Sequence, residues 1–160
     1  MKTIDLTITT QHYESLSELS EEMQQLVAAA KQSASRAYAP YSQFKVGAAI
    51  LLQNGEVITG NNQENAAYPS GLCAERTAAF YASSQYPNTP FLQLAIFATG
   101  SKGTLSKPVT PCGSCRQALL EYENKFKNNI TIILANDQEC YVLDSIKSLL
   151  PFSFGMDDLV

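Results

Sequence analysis

Residues 44–60 read FKVGAAILLQNGEVITG, two apolar runs on either side of Asn54-Gly55. An Asn-Gly pair between such runs favours a two-residue turn, because both residues tolerate the positive φ that a tight hairpin demands. The stretch is therefore read as a β-hairpin, and its neighbours decide what covers it. Upstream, within residues 13–38, Leu19, Met23, Leu26, Val27, Ala30, Ala34 and Ala37 recur mostly three or four apart. That is the stripe of an amphipathic helix, stopped by Pro40. Downstream the pattern turns helical at about Cys73, with Thr77, Phe80 and Tyr81 following at helical spacing. LQLAIFA (92–98) and ITIILA (130–135) suit short buried strands, with a further helix from Thr110 to about Phe126 between them. DSIKSLL (144–150) is read as a final short helix ending at Pro151.

Helix, hairpin, helix, strand, helix, strand, helix is an α/β order, with helices packed over one central sheet. No repeat or linker interrupts it, so one domain is expected across residues 1–160, with residues 1–13 a loose arm or an edge strand.

A chain of this length can bury a sizeable core without disulfides or a structural metal, which leaves any metal free to be catalytic. No run of about 18 apolar residues could span a bilayer. The N-terminal stretch MKTIDLTITTQHYESLSELSEE has no basic start, apolar core and cleavage site, so a cytoplasmic location is expected. In a reducing compartment, neighbouring thiols point to metal or redox chemistry rather than disulfides. Eleven basic against fifteen acidic side chains, with no cluster of Lys or Arg, argue against nucleic acid as a partner.

Three of the four cysteines fall in GLCAER (71–76) and PCGSCRQ (111–117). Thr110 can cap a helix and Pro111 suits its first position, which sets Cys112 and Cys115 on one face of the opening turn. Free amide hydrogens and the positive end of the helix dipole favour thiolate there, the form that binds metal. Cys73 also opens a helix. Three thiolates leave a tetrahedral zinc one position short, the arrangement of catalytic zinc. Cys140, in QECYVL (138–143), is read as a buried, inert thiol, and His12, the only histidine, as a surface residue.

A lone CxxC also occurs in redox pairs and structural zinc knuckles. A redox pair leaves Cys73 unexplained, and a structural site wants a fourth ligand. Glu75, two positions after Cys73, adds a proton carrier to a metal that acidifies water. Arg76 lies on the helical face of Cys73, where a guanidinium on sulfur would restrain charge donation to the metal. A zinc-stabilised module with no turnover stays open as a rival reading.

CAER (73–76) with PCGSCRQ (111–117) resembles the zinc signature of the cytidine deaminase family, in its small three-cysteine class. YSQFKVGAAI (41–50), GNNQENAAYP (60–69) and LLPFSFGMDDL (149–159) resemble family segments in the same order. One departure is Phe152, where the family more often has a small residue. The resemblance implies a three-layer α/β sandwich, with a mixed central sheet of about five strands flanked by helices. It also implies zinc-dependent hydrolytic deamination of cytidine and deoxycytidine, with Zn2+ on Cys73, Cys112 and Cys115 and Glu75 as proton shuttle. Asn62 and Glu64 would hold the ribose hydroxyls and Phe44 would pack on the pyrimidine. Ala74, with the Cys112 backbone, would meet the base, and Tyr68 would support the loop. Phe154 would close a neighbouring subunit's site in a homotetramer. A deaminase of a cytosine-containing antibiotic of the blasticidin type shares the cysteines and the Glu, with less need of GNNQEN.

Overall fold

The hairpin forms as read: β2 (Lys45–Leu52) runs antiparallel to β3 (Val57–Asn61). Its turn is wider than two residues. The Leu52 N–H reaches the Glu56 carbonyl at 2.9 Å, and Gly55 takes the positive φ of 86°. The structure, a computed structural model, describes residues 1–159. Five further strands join the hairpin: β1 (Gln11–Tyr13), β4 (Phe91–Gly100), β5 (Gly103–Thr104), β6 (Thr131–Ala135) and β7 (Cys140–Leu143). They form one seven-stranded sheet in the order β1-β7-β6-β4-β2-β3, with β5 on β4. Only β4 and β6 pair in parallel, so the sheet is mixed.

Three helices cover it: α1 (Glu21–Ser35), α2 (Ala74–Gln85) and α3 (Gly113–Phe126). Strand alternation divides the core between the two faces. Ala95 and Phe97 of β4 pack with Leu26, Val27, Ala30 and Ala34 of α1, whereas Leu94 and Ile96 pack with Ala78 of α2 and Leu119 of α3. Burial of each large aliphatic side chain contributes about 1.5–3 kcal/mol, so β4 alone accounts for a large share of the core. Two glycines bring helices directly onto the sheet. A Cβ on Gly47 would lie 2.0 Å from the Ala30 carbonyl oxygen, and one on Gly60 would lie 2.4 Å from the Ala78 nitrogen. Gly60 thereby sets the depth of α2, whose first turn carries Glu75.

Several expectations need correction. The helix read within 13–38 starts only at Glu21, capped by Ser20, whose Oγ accepts the Met23 N–H at 3.3 Å. Ahead of it lie β1 and a 3-10 turn, Leu16–Glu18. Residues 1–10 are exposed and irregular, and 11–13 pair with β7 at the sheet edge. The helix read from Thr110 begins at Gly113 with Cys112 as its cap, so Thr110 and Pro111 precede it. The final helix is a 3-10 segment, Ile146–Leu149, and Cys140 lies on a strand. The sheet has seven strands rather than about five, because β1 and β5 are too short to show a period in the sequence. Among the described residues, no helix is long and apolar enough to cross a membrane.

Candidate metal centre and active site

The first turns of α2 and α3 meet at the site. Cys73 and Cys112 are the N-caps of the two helices and Cys115 lies in the first turn of α3. Neither cap sulfur is used for capping, so both stay free for another partner. The Cys73 and Cys112 sulfurs lie 4.0 Å apart, those of Cys112 and Cys115 3.5 Å apart, and all three are within 4.8 Å of one another. Zinc–sulfur bonds of about 2.3 Å in a tetrahedron set sulfurs roughly 3.8 Å apart, a spacing the two measured pairs bracket. Among the described residues no other group of three candidate ligands gathers in this way. Cys140 is fully buried on β7, its thiol pushed up to about 11 chiefly by burial, in keeping with an inert core residue.

The electrostatics divide the triad. The Cys73 thiol is held at about 5 by the hydrogen bond from Cys115 and, next among the lowering causes, by Arg76, whose Nη2 donates to Cys73 Sγ at 3.6 Å. Cys115, buried beside that thiolate, is pushed strongly upward, first by its bond to Cys73 and then by burial. Arg76 Nε is buried without a hydrogen-bond partner among the described residues. His12 lies on β1, at the edge of the sheet. It is exposed, as expected, with its Nε2 2.6 Å from Glu139 Oε2.

Glu75, in the first turn of α2, is 4% exposed. Burial raises its carboxyl above the usual range, with the Cys73 charge adding to the effect. It lines a mostly apolar cavity of about 440 Å³ together with Phe44, Ala74, Ile96, Val109 and Cys112. A second, outer cavity of about 550 Å³ holds Tyr41, Gln63, Tyr68 and Arg76. Ser42, Asn62, Glu64 and Cys73 line both and form the wall between them. Cys73 is brought to that wall by paired bonds of 2.9 Å between Gln63 and Leu72, which tie the loop after β3 to the entry of α2.

Asn62 and Glu64 are already engaged within the chain. Asn62 accepts the Val46 N–H at 2.8 Å and donates to the Phe44 carbonyl at 2.9 Å, pinning the strand start that presents Phe44 and leaving one amide hydrogen over. Glu64 accepts the Tyr41 N–H at 2.9 Å, the Ser42 N–H at 3.3 Å and the Ser42 hydroxyl. Those bonds, that of the Ser42 hydroxyl first, hold its carboxyl below the usual range. Tyr68 is exposed and meets Tyr41 edge-on at 6.4 Å. Phe154 lines neither cavity. It is exposed, and its carbonyl accepts a 2.8 Å bond from Gln117 Nε2. Phe152 is exposed as well.

Sequence reasoning missed Ser42 and Arg116. Ser42 lies in the quoted YSQF stretch, where a hydroxyl with no charge or spacing rule beside it carries no signal. Arg116 donates to the Pro111 carbonyl at 2.8 Å, the Leu149 carbonyl at 2.7 Å and Thr110 Oγ1 at 3.2 Å, fixing the approach to Cys112.

A sequence model of the cytidine and deoxycytidylate deaminase zinc-binding region matches residues 20–129. A cytidine deaminase of Sporosarcina psychrophila is 38% identical over 138 residues, 86% of this chain and 95% of that protein. The crystal structure of cytidine deaminase from Burkholderia pseudomallei superposes with a TM-score of 0.72 at 38% identity, covering 85% of this chain and 100% of that one. The corresponding enzyme of Mycobacterium tuberculosis gives 0.66 at 34% identity, over 86% and 100%. The family model spans both helix starts that carry the sulfur triad, and relatives and solved structures agree with it over most of their lengths: the chain belongs to the zinc-binding cytidine deaminase family.

Proposed function

We propose that the chain hydrolyses cytidine and deoxycytidine to uridine and deoxyuridine with release of ammonia, acting as one domain across residues 1–160. The observation that carries this reading is the buried Glu75, its carboxyl raised chiefly by burial, lining one cavity with Cys73 and Cys112 of the three-cysteine group. Cys73, Cys112 and Cys115 would hold Zn2+, which supplies a Lewis acid able to bring a water's pKa to about 7. As zinc deaminases generally do, the chain then moves a proton through its glutamate. Glu75 accepts the proton of the attacking water and returns it to the ring nitrogen next to the reacting carbon. A carboxyl whose pKa burial has raised toward neutrality suits both transfers. Phe44 packs on the pyrimidine, the Ala74 and Cys112 backbones meet its polar edge, and the wall of Asn62 and Glu64 takes the sugar hydroxyls. That polar wall favours a nucleoside over a cytosine-containing antibiotic of the blasticidin type.

Three thiols that must stay reduced suit the cytoplasm. A homotetramer with shared sites accords with exposed Phe80, Tyr81 and Phe154, the last closing a neighbour's cavity. Glu75→Gln tests the core of the reading. Zinc content should stay at the wild-type level while cytidine turnover, followed by ultraviolet absorbance, falls by about 10²–10⁴. Equal rates in the two proteins would remove Glu75 from the mechanism.

A further inference from the structure

Residues 3–9 read TIDLTIT. In the two-residue period of a strand, Ile4, Leu6 and Ile8 share one side, while Thr3, Asp5, Thr7 and Thr9 share the other. These apolar side chains have little cover in the chain itself: Ile4 is 82% exposed, Leu6 55% and Ile8 48%. The arm leads into β1, the edge of the sheet, which pairs with β7 on one side and with no strand on the other among the described residues. It precedes the residues matched to the family, which begin at 20.

The stretch is close to a palindrome about Leu6, and this decides what can pair with it. We propose that residues 3–9 pair antiparallel with the same residues of a second copy of this chain, in a register centred on Leu6. In that register Leu6 faces Leu6, Ile4 faces Ile8 on each side, and Thr3 faces Thr9. Every apolar residue thus meets another on one face, and Asp5 faces Thr7. A register centred on Asp5 would oppose two like charges and put Lys2 against Ile8, which destabilises a strand pair. Centring on Thr7 leaves Ile4 against Thr10. A shift of one residue sends the apolar set to opposite faces. The contact is isologous, since residue i meets j and j meets i, as a two-fold pair requires. It also extends an open sheet edge that would otherwise recruit strands without selection.

Leu6→Cys tests this. The zinc-loaded variant is exposed to a mild thiol oxidant and run on a non-reducing gel beside wild type, which controls for the exposed Cys112. The expected result is a covalent dimer in Leu6→Cys and at least ~10-fold less in Asp5→Cys. In the proposed register two Cβ atoms at position 5 lie roughly 7 Å apart, beyond the ~4.5 Å limit of a disulfide. Adding Ile4→Asp and Ile8→Asp to Leu6→Cys should reduce the dimer to the Asp5→Cys level. All four positions are exposed, so the core is left intact. A Leu6→Cys protein that stays uncoupled, equal coupling at position 5, or coupling that survives the two aspartates would overturn the pairing. The outcome is independent of the catalytic reading, which Glu75→Gln addresses separately.

Discussion

The starts of α2 and α3 share one device and put their arginines to opposite uses. Each opens on a cysteine in extended backbone, Cys73 at φ −73° and ψ 154°, Cys112 at φ −66° and ψ 165°. Each therefore presents sulfur at the positive end of a helix dipole. In α2 the arginine turns to sulfur: Arg76 Nη2 donates to Cys73 Sγ, while its buried Nε finds no hydrogen-bond partner among the described residues. In α3 the arginine turns away, and Arg116 spends three bonds on Pro111, Leu149 and Thr110. One helix start tunes charge and the other holds position. On the proposed reading, the first would restrain charge at a water-activating metal and the second would brace the fold around its ligands.

The largest expected effect treats the two starts alike. Cys115 is fully buried and contributes one of the three sulfurs. Cys115→Ser should lower zinc per chain, measured by plasma emission, by more than ~10-fold and take cytidine turnover with it. A serine variant with full zinc and full turnover would show that α3 does not hold the metal.

The arginines then separate. Arg76→Gln keeps a polar side chain and removes the charge on sulfur. It should cost about 10- to 100-fold in zinc affinity or kcat, the usual effect of losing a hydrogen bond to a metal ligand. Stability should change by less than about 0.5 kcal/mol, since among the described residues the hydrogen bonds of Arg76 run only to the sulfurs of the triad. Arg116→Gln should do the reverse. Three charge-assisted bonds are lost, about 2–4 kcal/mol of unfolding free energy by urea titration. The kcat per bound zinc should stay within about threefold of wild type. If the two variants behave the same, the division of labour between the helix starts is wrong.

The same contrast governs what could be read in advance. The charge-tuning start was legible because its parts are rare residues at short spacing: Cys73, Glu75 and Arg76 lie within one turn, and CxxC has few meanings. The bracing start was not, because Arg116 bonds to carbonyls of Pro111 and Leu149, and backbone partners leave no trace in side-chain identity. Glu123 repeats the point. It is 3% exposed, and its carboxylate accepts the Ile130 and Ile146 N–H groups at 2.8 and 2.9 Å and the Ser145 hydroxyl at 2.8 Å. In LEYENKF it reads as one more solvated helix charge. The α/β order, helices over one central sheet, was legible from period, since β4 and α1 carry strong patterns, whereas the three layers came only from the family resemblance. The edge strands β1 and β5 were not, having three and two residues.

The smallest effect concerns the wall that faces both helix starts. There the charge is held by neither sulfur nor arginine. Glu64 stays ionised chiefly through the Ser42 hydroxyl, with the Tyr41 and Ser42 N–H groups adding to it and desolvation opposing. A carboxyl whose folded pKa lies below its unfolded one contributes stability above the unfolded pKa and loses it as pH falls through the folded one. The loop 41–44 should therefore keep its form at neutral pH and loosen only in acid. Ser42→Ala removes the largest of these bonds and should move the Glu64 titration back up toward the ordinary carboxylate value. The acid limb of kcat/KM for cytidine then shifts to higher pH, carried by KM, with kcat at neutral pH close to wild type. A pH profile that Ser42→Ala leaves in place would mean that Glu64 does not touch the substrate, and the wall would join Arg116 as scaffold.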